Sequence, residues 1–156
     1  MCLYYDKKKS RQWAFWKRIF GPKTVTCYKA LDVTHRFVNG KQSDELIVIT
    51  PFRSMEVEGG WIQSGRELGP QLSDREKKTN KIHYGIHVIL NEKRAEEYTG
   101  TYTFIVKCTA RVRDFVARDG IYDEAVFSKI HIPQSEIDRI LAYYEENKDR
   151  DKRYDW

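Results

Sequence analysis

The stretch Thr101–Val112, TYTFIVKCTARV, decides the fold class. From Tyr102 onward every second residue is apolar or small, so one face of an extended chain would be hydrophobic over its whole length. This alternation is typical of a β-strand with one face toward the core. Four further segments of strand-forming composition are Thr24–Leu31, Glu45–Phe52, Ile82–Leu90 and Glu124–Ile132. The chain therefore contains enough strands for a substantial sheet.

Two of these segments have additional features. Glu45–Phe52, ELIVITPF, is continuously apolar after its first residue, which predicts a strand buried on both faces that ends at Pro51. In Ile82–Leu90, IHYGIHVIL, apolar residues alternate with His83, Gly85 and His87. Turns are predicted at Asn39-Gly40 and at Asp119-Gly120, because these dipeptides favour tight reversals.

Three segments predict helices. Ser10 is an expected N-cap for an aromatic helix that ends at Gly21-Pro22, and Asn91 is the expected cap of a short helix over Glu92–Tyr98 that ends at Gly100. The stretch Ser135–Asn147 carries a narrow apolar stripe and should pack on the sheet. Together these elements predict an α+β fold: a mixed, mostly antiparallel sheet with N-terminal and C-terminal helices and one short internal helix.

The chain of 156 residues divides into three expected parts. Residues 1–23 form a basic aromatic arm, residues 24–148 a single domain, and residues 149–156 a flexible tail. Within the domain, residues 53–80 are rich in glycine and polar residues and lack periodicity. A loop of that length is expected to be functional or mobile.

Composition excludes several protein classes. Hydrophobic residues make up 40% of the chain and charged residues 33%, which indicates a globular protein rather than a disordered one. No apolar run approaches the 18 residues of a membrane span, and no signal-peptide pattern follows the first lysines. Three widely spaced cysteines, Cys2, Cys27 and Cys108, favour free thiols in a reducing cytoplasm over a disulfide framework.

The positive charge is concentrated in the arm. Residues 1–23 carry a net charge of +6, whereas the other 133 residues sum to −1. The candidate partner-binding residues of the arm are Lys7, Lys8, Lys9, Arg11, Lys17 and Arg18. Next to them Trp13, Trp16 and Phe20 recur at helical spacing. Such a helix could bind nucleic acid or an anionic membrane surface, or it could dock its aromatic stripe on the core and leave its bases in solvent.

The chain contains no phosphate-binding glycine loop, no HExxH and no CxxC motif. His83 and His87 would share a metal ion on a helix, but on a strand they lie roughly 13 Å apart. The sequence therefore predicts no metal site.

Three short motifs occur in a suggestive order. Tyr28-Lys29-Ala30 lies on one predicted strand, and Gly85-Ile86-His87-Val88 on a second, before a helix that contains Ala95-Glu96-Glu97-Tyr98. A third strand opens at Asp123-Glu124. This order resembles the ADP-ribosyltransferase-like fold, over roughly residues 24–133. It is also similar to small proteins of bacteriophages and mobile elements that share the pattern YK…GIHV…A..Y…IVKC.

The resemblance implies a site and a cofactor, NAD. Lys29 takes the place of the family's His or Arg that contacts the cofactor, His87 that of the Tyr that stacks on nicotinamide, and Glu124 that of the catalytic Glu. Tyr84 and Trp61 could wall the same cleft. Only Glu124 matches the family residue type, and it lacks the usual second acid two positions before it. Lys29 cannot provide the bidentate contact of an arginine.

These observations leave three functions open. The first is a non-catalytic binding protein or inhibitor of a host component, a protein or protein–nucleic-acid complex that could belong to a bacterial defence system. This role is favoured by the departures at Lys29 and His87. The second is an active NAD-dependent ADP-ribosyltransferase that modifies a host protein. The third is a nucleic-acid-binding protein that acts through residues 1–23. The oligomeric state is not predicted.

Overall fold

The computed structural model describes residues 3–51, 55–97 and 103–151, which contain ten strands and four helices. The strands are β1 (Leu3–Tyr4), β2 (Thr24–Val38), β3 (Lys41–Ile49), β4 (Gly60–Gln63), β5 (Lys81–Ile82), β6 (Ile86–Ile89), β7 (Thr103–Arg111), β8 (Phe115–Arg118), β9 (Glu124–Phe127) and β10 (Lys129–Ile132). The helices are α1 (Lys7–Phe20), α2 (Asp74–Thr79), α3 (Glu92–Glu96) and α4 (Gln134–Asp151), and a 3-10 turn covers Val112–Asp114. The α+β prediction is confirmed.

Eight of these strands form one sheet in the order β4-β10-β7-β2-β6-β9-β8, with β3 paired to β2. The strand pairs that the structure describes are antiparallel, including the separate pair β1–β5. Strands β9 and β10 are consecutive in the chain but pair with different parts of the sheet. The break at Ser128, whose N–H donates to the Asp114 carbonyl (2.8 Å), lets the chain cross from one part to the other.

Strand β2 organises the sheet. One of its edges pairs with β7 in continuous register from Thr24 to Asp32. Its other edge is divided, because β6 pairs at Tyr28 and β3 pairs from Asp32 onward. The predicted reversal at Asn39-Gly40 joins β2 to β3, and both residues have the positive φ (52° and 75°) that this dipeptide favours.

The core lies on the inner face of β2 and β7. Cys27 and Leu31 are fully buried there, and Ile137 and Ile140 of α4 belong to the same apolar cluster. Helix α4 thus packs on the sheet as its apolar stripe predicts, and it extends to Asp151. Residues 152–156 of the expected tail lie outside the described residues.

Both described cysteines are buried free thiols, as predicted. Cys27 and Cys108 are direct cross-strand partners in the β2–β7 ladder. Burial raises the pKa of Cys27 to about 12 and also raises the pKa of Cys108, so neither thiol is a reactive thiolate near neutral pH. Cys2 lies outside the described residues.

Helix α1 docks through its first half. Asp6, not Ser10, is the N-cap, and its carboxylate accepts from the Lys9 N–H at 2.8 Å. The prediction for Ser10 is wrong because this side chain lies inside the helix. There it accepts from the Arg118 N–H at 3.0 Å and donates to the Arg118 carbonyl at 3.2 Å. A sequence pattern cannot distinguish a serine that caps its own helix from one that satisfies the edge of a neighbouring strand.

The aromatic stripe of α1 divides into two parts. Trp13 stacks on Phe115 of β8, with ring centroids 4.3 Å apart, and docks the helix on the core. The C-terminal half of the helix instead presents exposed apolar side chains, which are Phe15, Trp16, Ile19 and Phe20. Docking of the helix is therefore observed, but only part of the aromatic stripe takes part in it.

Strand β3 is not buried on both faces, in contrast to the prediction for Glu45–Phe52. It pairs only with β2 along the sheet, and of its nine residues only Val48 is buried. The predicted strand Ile82–Leu90 is also interrupted, because residues 83–85 leave the extended conformation and Gly85 has a φ of 136°. Likewise Glu124–Ile132 is two strands rather than one. Strands β4 and β8 were not predicted, since each has only four residues.

Residues 64–80, within the segment that lacks sequence periodicity, are organised around one buried guanidinium and include α2. Arg66 donates through Nη1 and Nη2 to both carboxylate oxygens of Glu76, at 2.6 and 2.9 Å. Its remaining donors reach the carbonyls of Gly69 (2.8 Å), Gln71 (2.7 Å) and Tyr84 (2.7 Å). All five N–H donors of Arg66 are therefore used. Glu76 also closes the capping box of α2 with Ser73.

We predict that Arg66→Ala lowers the free energy of unfolding by about 3 to 5 kcal/mol, because it leaves a buried carboxylate without its cationic partner and three carbonyls without donors. Burial would raise the pKa of Glu76, but the hydrogen bonds from Arg66 and Ser73 outweigh burial, so its pKa lies below the ordinary value. This depressed pKa stabilises the fold above the unfolded-state pKa of about 4.3, and the stabilisation is lost as pH falls through the folded-state pKa. Urea unfolding between pH 3 and 7 measures both effects.

The matched control is Arg75→Ala on exposed α2, which should change the free energy of unfolding by less than about 0.5 kcal/mol. Equal stability of the Arg66 and Arg75 variants would contradict the role of Arg66.

Candidate functional site

The divided edge of β2 opens into a cavity of about 150 Å³. On one side lies β6, and on the other lies the chain that follows β3 and turns back on it, through hydrogen bonds from Thr50 to Met55 (2.9 Å) and from Val57 to Val48 (2.8 Å). Strands β4 and β10 contribute Ile62 and Ile130 to the lining. The cavity exists because β3 and β6 cannot both pair with the same residues of β2.

Lys29 lies at the back of this cavity, on the inner face of β2 between the fully buried Cys27 and Leu31. Alternation along a strand brings all three side chains to the same face. Burial lowers the pKa of Lys29, and the nearby thiols and Glu124 act in the opposite direction. A lysine in a row of apolar core residues costs stability, so its presence here indicates a role beyond packing.

Glu124 enters the same cavity from the first position of β9. Its cross-strand partner Ile89 also pairs with Tyr28, so one strand separates Glu124 from β2. The Glu124 N–H donates to the buried carboxylate of Asp119 at 3.0 Å, and the same carboxylate accepts from the N–H groups of Ile121 and Tyr122. Asp119 therefore positions the chain that carries Glu124.

His87 on β6 is the third predicted site residue that lines the cavity, and both of its ring nitrogens are buried. Gly85, two residues earlier, also lines the cavity. A Cβ at Gly85 would overlap the side chain of Val126, and its φ of 136° is unfavourable for any other residue. A glycine is thus required where β5 and β6 separate. Lys29, His87 and Glu124 all line this one cavity.

The cavity also contains polar groups that the sequence did not indicate. The Ser64 Oγ is buried at its edge and has no hydrogen-bond partner among the described residues. Glu56 lines the cavity as well, but its two oxygens bind the Arg36 guanidinium at 3.0 and 2.5 Å. The carboxylate of Glu56 is therefore already occupied by an arginine. No motif could have identified Ser64, because its position depends on the β4–β10 pairing.

The other predicted site residues lie elsewhere. Tyr84 is exposed and Trp61 is 47% exposed, and neither lines the cavity. In the basic arm, Lys9 donates to the Gly120 carbonyl and Lys17 lies over the Trp13 ring, 6.0 Å from its centroid. Tyr98 of the helix motif lies outside the described residues.

Two further properties of the described residues concern metal binding and membrane spanning. They contain no group of three or more potential metal ligands of the kind that holds an ion. None of their helices is both long enough and apolar enough to cross a bilayer.

We predict that Lys29→Met raises the free energy of unfolding at pH 7 by about 1 kcal/mol. Methionine occupies the same space on the inner face of β2 without the cost of a buried charge. Because the pKa of Lys29 is lowered on folding, the unfolded chain binds more protons between that pKa and about 10.4. The free energy of unfolding of the wild type should therefore increase relative to that of the variant as pH rises toward 10. Urea unfolding at pH 7 and 9.5 measures this, with Lys41→Met on exposed β3 as control. A variant that is less stable at pH 7 would contradict the assignment.

Comparison of the chain with protein-family models, curated proteins and solved structures finds no match. The function of the cavity must accordingly be argued from its own residues.

Proposed function

We propose that the protein binds NAD through its central cavity, which takes up the nicotinamide-ribose end of the dinucleotide, and that it acts as a binding protein rather than as an efficient transferase. The observation that carries this proposal is the presence of Lys29, His87 and Glu124 around one apolar cavity. These are the positions at which the resemblance to ADP-ribosyltransferases implies contacts with the cofactor.

The size of the cavity selects the part of the ligand that enters. A protein cavity of about 150 Å³ accommodates a single benzene-sized ring. The nicotinamide ring has this size and shape, whereas a whole dinucleotide is several times larger. The ribose would then lie at the mouth of the cavity, and the diphosphate and adenosine would extend into solvent.

The polar groups suit such a ligand. Glu124 at the start of β9 can accept a hydrogen bond from a ribose hydroxyl, and the buried Ser64 hydroxyl can pair with the carboxamide. Lys29 and His87 add nitrogen donors within an otherwise apolar wall. A few polar groups in a mainly apolar concavity are the usual composition of a small-molecule site.

The electrostatics of the site favour binding over turnover. Transfer of ADP-ribose passes through a cationic, oxocarbenium-like state that a carboxylate must stabilise, and the charge of Lys29 acts on the same carboxylate. A nearby ammonium weakens the field that Glu124 exerts on a developing cation. Lysine also lacks the planar fork with which arginine holds a diphosphate. An inhibitory action on a host component would add a protein partner to this binding role.

The test is a titration of the purified chain with NAD, followed by thermal unfolding and calorimetry. At about 100 times Kd, NAD should raise the free energy of unfolding by about 2.7 kcal/mol, which raises Tm by several degrees. Glu124→Gln should weaken binding about ten-fold or more, because a charge-assisted hydrogen bond is lost. Nicotinamide riboside should bind and AMP should not, since only the first contains the ring that enters the cavity.

The matched control is Glu97→Gln, an exposed acid outside the cavity that pairs with Arg94 at 3.0 Å. It should bind NAD as the wild type does. Absence of binding at millimolar NAD, or equal weakening by the two glutamine variants, would refute the proposal.

Glu124, whose backbone N–H donates to Asp119 at the start of a strand, places a carboxylate at the cavity and favours ADP-ribosyl transfer as a second candidate. Incubation with labelled NAD and a cell lysate tests it. Label transfer that disappears in Glu124→Gln but persists in Glu97→Gln would establish the enzyme. Binding without transfer would leave the binding function alone.

A further inference from the structure

The outer face of the sheet, on the side away from the core, has an unusual composition. The outer sheet face is defined here as the outward-pointing residues of four adjacent strands, taken as far as Tyr28 of β2 and Ile105 of β7: Trp61, Gln63, Thr24, Thr26, Tyr28, Ile105, Lys107, Thr109, Arg111, Lys129 and His131. None of them is buried, and α3 approaches this face at Tyr28, which hydrogen-bonds with Glu92. Their inward neighbours, by contrast, include the fully buried Cys27, Val106 and Ile130.

The charged residues of the outer sheet face are Lys107, Arg111 and Lys129, and all three are cations. The acids near this face lie on its far side: Asp32 points outward farther along β2, opposite Thr103, and Glu92 and Glu96 of α3 act on Tyr28. The part formed by β10 and β7 is therefore the cationic part, although the body of the protein outside the arm is close to neutral in charge.

Aromatic rings lie among these cations in strand register. Trp61 pairs with His131, and His131 pairs with Thr109, so two rings and a hydroxyl follow one another across adjacent strands. The Trp61 and His131 ring centroids are 5.3 Å apart, and the Arg111 guanidinium lies 4.0 Å from the Trp61 centroid. Trp61 remains 47% exposed within this group. Flat groups of this kind offer stacking surfaces to planar ligands.

We propose that the outer sheet face binds single-stranded nucleic acid. Unpaired bases stack on Trp61, Arg111 and His131, and Lys107 and Lys129 contact the phosphates. Exposed aromatic side chains between cations on an open sheet are the arrangement by which proteins hold single strands without a strict sequence requirement. A duplex would not stack on the rings, because its bases are already stacked on one another. An acidic peptide would pair with the cations but would have no planar groups to stack on the rings.

The basic arm is less suited to this role despite its higher charge. Lys9 and Lys17 are engaged with Gly120 and Trp13 of the protein itself. The exposed rings of α1 pack on one another, with centroids of Trp16 and Phe20 5.1 Å apart and of Phe15 and Trp16 5.9 Å apart. Trp61 and His131 also contact each other, but the rings of α1 project from one helix rather than across a flat surface.

The experiment is fluorescence anisotropy of the full chain with labelled 20-nucleotide oligo(U) and oligo(dT) over a series of salt concentrations. Trp61→Ala should weaken binding about ten-fold or more, the effect of removing one base-stacking ring. Trp61→Phe should restore most of the loss. Combined Lys107→Gln and Lys129→Gln should reduce the slope of log K against log salt by about 1.4, since each phosphate contact contributes about 0.7 for single strands.

Two sets of controls complete the test. Trp16→Ala, and combined Lys7→Gln and Lys8→Gln, alter the arm and should leave oligonucleotide affinity within two-fold of the wild type. A duplex of equal length and heparin should bind much more weakly than the single strands. Each variant is compared by thermal unfolding, and Arg111→Gln replaces Trp61→Ala if that variant is unfolded.

Three results would overturn the proposal. They are affinity unchanged by Trp61→Ala and Arg111→Gln, loss of binding in the arm variants instead, and equal binding of heparin or duplex with the same dependence on Trp61. Because Trp61, Arg111, Lys107 and Lys129 do not line the cavity, failure here would leave the cavity proposal intact.

Discussion

The architecture depends on a limit of backbone hydrogen bonding: one edge of a strand can pair with only one neighbour at each residue. Strand β2 is long enough for β6 to occupy part of an edge and β3 the rest. Where the two neighbours separate, the sheet must open, and apolar side chains from both partners surround the gap. The cavity is thus a consequence of strand lengths and register rather than of a flexible loop. That origin makes it a preformed site, which reduces the entropic cost of ligand binding.

Lys29 shows how stability and site chemistry oppose each other at this opening. Its neighbours along the inner face, Cys27 and Leu31, are fully buried, and an apolar residue at position 29 would continue the row. Burial lowers the pKa of the lysine, so the folded state binds its proton less firmly than the unfolded chain does. Glu124 offsets part of this penalty from two strands away. A sequence that keeps such a group in a packed sheet sacrifices stability at the point where a ligand can contact it.

The sequence predicted best what depends on local periodicity and poorly what depends on distant pairing. Thr101–Val112 alternates strictly and forms a strand over nine of its residues, and Asn39-Gly40 turns with the expected backbone angles. Glu45–Phe52 is as apolar as a central strand, yet β3 lies at an edge, because its neighbours are decided by how far β2 extends. Arg66 carried no signal at all: its five hydrogen bonds reach four residues between positions 69 and 84, and only the folded chain brings them together.

The distinction between local sequence patterns and pairing of distant residues also applies to charge. Net charge identified the arm as the conspicuous basic segment, because seven of its 23 residues are lysine or arginine. In the folded chain part of that charge stabilises the docking of α1, where Lys9 bonds to Gly120. On the outer sheet face fewer cations are interleaved with rings at fixed strand spacing. Long-range attraction depends on the number of charges, but recognition depends on their geometry relative to flat groups and hydrogen-bond donors. A sheet supplies that geometry from residues that are far apart in the chain. Composition alone therefore indicates the arm as the binding surface, whereas strand register indicates β4, β10 and β7.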